Sequence, residues 1–149
     1  MTTASSPTTE FQRLYTGRVW SVLSWDQLTA LWQRIDPGAG WYLQAVGVAP
    51  APTIEADAAT VSAFIERVDA LLRADHHESY CGIVYADDLE NPRLIKIYDP
   101  NHLGSSCGSS KTPHPPGWVM SRLPPDEIIA TRAAPGNRKR WWQGLLGDS

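Results

Sequence analysis

The chain has 149 residues and a formal net charge of −3, and 42% of its residues are hydrophobic. A chain of this length can bury a core without disulfides or a structural metal, and its slight acidity argues against nucleic-acid binding. No run approaches the ~18 apolar residues of a membrane span, and the N-terminal segment lacks the pattern of a secretory signal.

Composition and charge divide the chain into three parts. Residues 1–12 are rich in Ser and Thr and are predicted to form a disordered leader, and residues 13–131 a single α+β domain. The tail, residues 132–149, has four basic residues and one acidic residue, whereas the rest of the chain has nine basic and fifteen acidic. With two cysteines and no secretory signal, we expect a cytoplasmic protein with reduced thiols.

The first half of the chain predicts two strands and two helices. Residues 14–23 are rich in β-branched and aromatic types and predict a strand. A capping box follows, with Ser24 as N-cap and Gln27 three positions on, and the apolar spacing after it predicts the first helix. The apolar run 41–48 predicts a central strand, and the helical spacing of apolar residues over 61–72 predicts the second helix.

The second half predicts a hairpin, a long loop and a last strand. Two β-rich runs, 81–88 and 93–100, flank a polar turn and predict an antiparallel pair. Three side chains of the second run would share one face of the sheet: Leu94, Lys96 and Tyr98. Residues 118–123 predict the last strand. The order β-α-β-α-β-β-loop-β therefore predicts a mixed sheet of four to five strands with two helices packed on one face.

The segment between the hairpin and the last strand is the strongest candidate for a functional site. It consists mainly of Gly, Ser, Pro and His, and long irregular loops inside compact domains are commonly functional. Successive N–H groups of "NHLGSSCGSS" (101–110) can form a nest for an anion, and Asp99 at the strand end is expected to cap the loop amides. The predicted ligand-binding residues are Asp99, Asn101, Gly104, Ser105, Ser106, Cys107, Gly108 and Ser109.

Cys107, at the centre of this loop, raises the alternative of a thiol-dependent enzyme. Its thiol would need a base within hydrogen-bond reach, and the local candidates are His102 and His114. However, the loop has no P-loop motif, and Lys111 and Thr112 stand where a thiol phosphatase loop would carry an arginine. The sequence therefore favours a binding site over an active site.

The His and Cys residues all lie between residues 76 and 114, which raises the question of a metal site. Thiolate and imidazole are ligands that zinc prefers, but the chain has neither C-x-x-C nor H-x₃-H spacing. We therefore predict no metal and no cofactor. The acidic residues of the hairpin turn, Asp87, Asp88 and Glu90, are expected to form the turn rather than act as acid and base.

The basic, aromatic tail is a second candidate for binding. Its predicted partner-binding residues are Arg138, Lys139, Arg140, Trp141 and Trp142. Such a segment suits peripheral contact with an anionic membrane surface, or docking to a protein partner, through residues 138–146. The alternative is that the two tryptophans fold back on the acidic body of the domain.

Three hypotheses of function follow. The first is a small soluble binding or accessory protein with a site for a ligand or partner in loop 99–118. The second is a thiol-dependent enzyme that uses Cys107 as its nucleophile. The third is a module that docks to a protein or a membrane surface through its tail.

Overall fold

The computed structural model of the chain describes residues 9–76, 81–100, 115–128 and 136–146. Its helices are α1 (Glu10–Thr16), α2 (Trp25–Gln33), α3 (Ala58–Asp75) and α4 (Gly136–Leu146). Its strands are β1 (Trp20–Ser21), β2 (Tyr42–Ala45), β3 (Val84–Ala86), β4 (Leu94–Ile97) and β5 (Trp118–Ser121). The predicted α+β class, the single sheet of five strands and the two predicted helices are confirmed.

The strands lie in the order β1-β3-β4-β5-β2, and each neighbouring pair is antiparallel. The sheet is therefore antiparallel, not mixed as the order of elements suggested. A mixed sheet would follow if β1, α2 and β2 formed a crossover unit with the two strands side by side. Instead β1 and β2 lie at opposite edges of the sheet, and the three strands that follow one another in the chain, β3, β4 and β5, occupy its middle.

One face of the sheet packs against three helices. Side chains alternate along each strand, so Ile95 and Ile97 of β4 point to this face, in register with Met120 and Trp118 of β5. A single buried cluster joins these side chains to apolar residues of α2, α3 and α4, among them Leu28, Leu31, Val61, Phe64, Val68, Trp142 and Leu145. The two predicted helices thus share one face, and the tail helix α4 joins them there.

The opposite face packs against α1, a helix absent from the sequence-based prediction. Its N-cap is Thr9, which forms a capping box with Gln12, and Phe11 packs against Leu94 and Val119 of the sheet. The helix includes residues assigned above to the disordered leader (10–12) and to the first strand (14–16). Seven residues are fewer than two full turns, which is too short for a helical periodicity to stand out.

Candidate functional site

The two ends of the long loop meet where β4 finishes and β5 begins. Gly117 donates its N–H to the carbonyl oxygen of Ile97 (2.9 Å), and its own carbonyl oxygen accepts from the N–H of Val46 (3.0 Å). A Cβ atom added at Gly117 would lie 3.3 Å from the Cβ of Asp99. Asp99 and Gly117, on either side of residues 101–114 in the chain, therefore lie side by side at the same end of the sheet.

Asp99 is buried at the entrance of this loop and forms an ion pair with the C-terminal helix. Nε of Arg138 donates to Oδ2 of Asp99 at 2.9 Å, and Nη2 donates to Oδ1 at 3.0 Å. The two side chains are 7% (Arg138) and 4% (Asp99) exposed. A bidentate contact between an arginine and a carboxylate is strong and fixes the relative orientation of its partners. The pair therefore holds α4 against the strand end from which the loop departs.

A second carboxylate reaches the same guanidinium from the C-terminal end of α3. Nη2 of Arg138 also donates to Oδ2 of Asp75, at 3.1 Å. The pKa of Arg138 is raised, chiefly by its hydrogen bond to Asp99, so the guanidinium stays charged. We call Asp75, Asp99, Gly117 and Arg138 the loop base, because they join α3, α4 and both ends of the loop.

Asp99 is the predicted ligand-binding residue that falls within the described ranges. It lies at the strand end, as predicted, and both oxygens of its carboxylate accept from Arg138. Its predicted capping of the loop amides involves residues outside the described ranges and stays a prediction. The other predicted ligand-binding and catalytic residues lie outside these ranges too: Asn101, His102, Gly104, Ser105, Ser106, Cys107, Gly108, Ser109 and His114.

Cys81 is a buried free thiol, and its backbone N–H donates to the carbonyl oxygen of Leu23, two residues after β1, at 3.0 Å. Burial raises its pKa, which disfavours the thiolate that a nucleophile or a metal ligand needs. The carbonyl oxygen of Cys81 lies 2.9 Å from Nε2 of His76, at the end of α3. Among the residues that the structure describes, no three His, Cys, Asp or Glu side chains are grouped to hold a metal ion.

The acidic residues of the hairpin turn hold its backbone. Oδ1 of Asp87 accepts from the N–H groups of Arg93 (2.8 Å) and Leu94 (2.9 Å). Oδ1 of Asp88 accepts from the N–H of Glu90 at 2.8 Å. The carboxylates of Asp87 and Asp88 are turn formers, as expected, whereas the carboxylate of Glu90 lies 3.5 Å from Nε of Arg34.

The aromatic residues of the tail contact the body of the domain. Trp142 is 6% exposed, and its ring and that of Trp141 each lie 6.2 Å from the ring of Phe64. The ring of Trp141 also lies 5.4 Å from that of Trp118 in β5. This is the fold-back arrangement of the tail.

The predicted partner-binding residues of the tail are thus divided between the interior and the surface. Arg138 and Trp142 are buried, Trp141 is half-buried, and Lys139 and Arg140 are exposed. The binding role of the tail stays a prediction. Of its predicted partner-binding residues, Lys139 and Arg140 are the exposed ones that a partner could contact.

A group of polar and aromatic side chains around Lys96 was not among the predicted sites. Lys96 of β4 lies directly opposite Tyr85 of β3, and its Nζ is 4.2 Å from the ring centroid of Tyr15 in α1. The ring of Tyr98 lies 5.6 Å from that of Tyr85. Alternation along the hairpin had placed Lys96 and Tyr98 together, but α1 was needed to add Tyr15. We call Lys96 and these three tyrosines the tyrosine cluster.

Fold and site together define a small α+β domain in which a buried ion pair joins the C-terminal helix α4 to the chain just after the antiparallel strand β4. Comparison with models of known protein families, with curated proteins and with solved structures finds no match. In the described ranges, no helix has the length and apolar character needed to cross a bilayer.

Substituting Gly117 tests how closely the two loop ends approach each other. In Gly117→Ala the new Cβ would meet the Cβ of Asp99 at 3.3 Å, which is tighter than an ordinary van der Waals contact. We expect the free energy of unfolding, measured by urea denaturation, to fall by about 1 kcal/mol. Gly144→Ala is the matched control. Gly144 is exposed in α4 and its nearest neighbour would be 3.6 Å away, so alanine should stabilise the helix. Stabilisation by Gly117→Ala would contradict the close approach.

Proposed function

We propose that this protein is a small binding or accessory protein whose ligand site is formed by residues 99–118, standing on the loop base. The observation that supports this most is the buried Asp99–Arg138 ion pair. A buried pair loses the hydration of both charges, so its net contribution to stability is small even when the geometry is good. Its clear effect is to fix one arrangement of the strand end at Asp99 and the helix α4.

The composition of the loop suits a small anion. Gly and Ser dominate residues 104–110, and consecutive backbone N–H groups in such a segment can surround an anion. Loops on a rigid scaffold are the usual place for binding residues. Because Arg138 compensates the charge of Asp99, the carboxylate at the loop entrance does not oppose an anion there.

We place the protein in the cytoplasm as part of the same proposal. The support is that Cys81 is a free thiol, which agrees with a reducing compartment. The proposal needs no cofactor and no nucleic acid.

The proposal is tested with inorganic phosphate as the probe. In the wild-type protein, titration followed by amide NMR should shift the signals of residues 104–109 saturably. A variant that lacks residues 103–110 should lose this response but keep the fold, because the loop ends already lie side by side at Asp99 and Gly117. Its thermal midpoint should stay within about 4 °C of the wild type, since shortening a loop changes its closure entropy little.

The variant Cys107→Ser separates this proposal from the thiol-dependent enzyme. A binding loop should keep its phosphate response in this variant, since the backbone N–H groups are unchanged. No saturable shift in the wild type up to about 10 mM phosphate, or the same affinity without residues 103–110, would refute the loop as an anion site.

A further inference from the structure

We propose that a cleft between the end of α1 and the turn that joins β3 to β4 is a second binding site, for the phosphate group of a small phosphate monoester. The cleft has a volume of about 330 Å³, which is at the lower end of the range for small-molecule pockets, about 300–1,000 Å³. Among the described residues, none of the loop base or of the tyrosine cluster lines it. The inference therefore does not depend on the function proposed for loop 99–118.

The first argument is the concentration of positive charge in this cleft. Arg13 of α1 and Arg18 just after α1 line one side, and Arg93 of the β3–β4 turn lines the other. Residues 1–131 have nine basic and fifteen acidic side chains, so three of the nine basic residues of an acidic body line one cleft. The planar guanidinium group of arginine keeps its charge and matches the oxygen atoms of a phosphate. The cleft therefore suits a phosphate group.

The second argument is that the acidic residues of the lining already have partners in the turn. Oδ1 of Asp87 accepts from two backbone N–H groups, and its Oδ2 lies 3.7 Å from Nε of Arg93. Oδ1 of Asp88 accepts from the N–H groups of Glu90 and Asn91. Three arginines and two carboxylates give the lining a net charge of +1. A phosphate dianion would compensate this excess.

The third argument is that Arg18 has N–H donors to offer. Its guanidinium carbon lies 5.9 Å from the ring centroid of Trp20, and within the described ranges no carboxylate lies at ion-pair distance from it. A cation–π contact uses none of the five N–H donors of a guanidinium. Arg13 pairs with Glu10 at 3.9 Å, and the two side chains are 64% and 68% exposed, so that ion pair is weak. Both arginines can therefore bind phosphate oxygens.

The rest of the lining indicates that the phosphate carries a small polar body. A phosphate ion has five non-hydrogen atoms, and a cleft of about 330 Å³ has room for a few carbon atoms beside it. The side chain of Asn91 can both donate to and accept from a hydroxyl group, and Leu14 is the apolar residue of the described lining. Glycerol 3-phosphate is a simple ligand of this kind.

The experiment is a titration of the full chain with glycerol 3-phosphate, followed by amide NMR. The signals of Gly17, Arg18 and Asn91 should shift saturably, and glycerol, which lacks the phosphate, should leave them unchanged. Arg18→Met should weaken binding about tenfold, because charge-assisted hydrogen bonds are lost. Arg67→Met is the matched control, because Arg67 is also exposed and its guanidinium carbon also lies over a tryptophan ring, that of Trp141, at 5.6 Å. It should bind glycerol 3-phosphate as the wild type does.

Two further variants separate the charge of the cleft from its packing. Arg18→Lys keeps the charge and should bind more tightly than Arg18→Met. Asn91→Asp adds a negative charge at an exposed position of the lining and should weaken binding about tenfold. Equal weakening by Arg18→Met and Arg67→Met, or an equal response to glycerol, would overturn the site.

Inorganic phosphate, titrated in the same way, distinguishes the sources of the phosphate group. It should bind the cleft more weakly than glycerol 3-phosphate, and equal affinity would overturn the monoester in favour of the free ion. The residues that shift distinguish this site from the loop. Shifts confined to residues 104–109 would overturn the cleft, whereas shifts confined to Gly17, Arg18 and Asn91 would support the cleft and count against the loop as an anion site.

Discussion

Arg138→Met should lower the free energy of unfolding by about 3–5 kcal/mol, one of the two largest effects that we expect. The substitution keeps an apolar stem of similar length but leaves Asp99, which is 4% exposed, without the guanidinium that binds both of its oxygens. Loss of this cation from a buried carboxylate is costly, whereas Asp75 is 40% exposed and can be hydrated. Urea denaturation of both proteins measures the difference.

Lys139→Met is the matched control for Arg138→Met. It removes one positive charge from the neighbouring, exposed position of α4, and it should change stability by no more than about 0.5 kcal/mol. In the double variant Asp99→Asn/Arg138→Met much of the loss should be recovered, because no charge then remains buried. If Arg138→Met and Lys139→Met were equally mild, the Asp99–Arg138 pair would not form in solution.

Trp142→Ala should be about as damaging, with a loss of about 3–5 kcal/mol. Trp142 is 6% exposed, and its ring stands nearly perpendicular to that of Phe64, at 83°. Removing the indole leaves a cavity between α4 and α3 that the surrounding side chains fill only partly. Loss of stability in urea is again the measurement.

The neighbouring Gln143→Ala is the control for Trp142→Ala. Gln143 is exposed, so this change should stay within about 0.5 kcal/mol. A mild effect of both substitutions would mean that α4 does not pack on the domain, and the tail would then be free to dock elsewhere. The Trp142 result therefore also discriminates between the fold-back and docking hypotheses for the tail.

Local patterns account for the parts of the fold that the sequence predicted. The capping box at Ser24 and Gln27 begins α2, and Ser24 accepts the N–H of Gln27 at 3.0 Å. Alternation in the hairpin placed Lys96 and Ile97 on opposite faces, as observed. These signals operate between residues a few positions apart, so they can be read without knowing the tertiary structure.

The sites depend on pairings that no local pattern contains. Arg138 and Asp99 are 39 positions apart in the sequence. The basic run 138–140 has the same sequence pattern whether Arg138 is buried or exposed to solvent. Tyr15 reaches Lys96 only because α1, which is too short to predict, crosses the sheet. The antiparallel direction of all strand pairs was not predicted for the same reason, because the pairing of β2 with β5 depends on tertiary structure.

The edge position of β2 has a consequence for how the chain is made. Its neighbour in the sheet is β5, and residues 42–45 pair with residues 118–121. During synthesis β2 leaves the ribosome long before β5 is made. The backbone N–H and C=O groups of β2 that bond to β5 therefore stay unpaired with it while α3, β3 and β4 are added. Pairings of such long sequence separation are slow to form. The pairing of β2 with β5 therefore forms late, and until then β2 can pair with wrong partners.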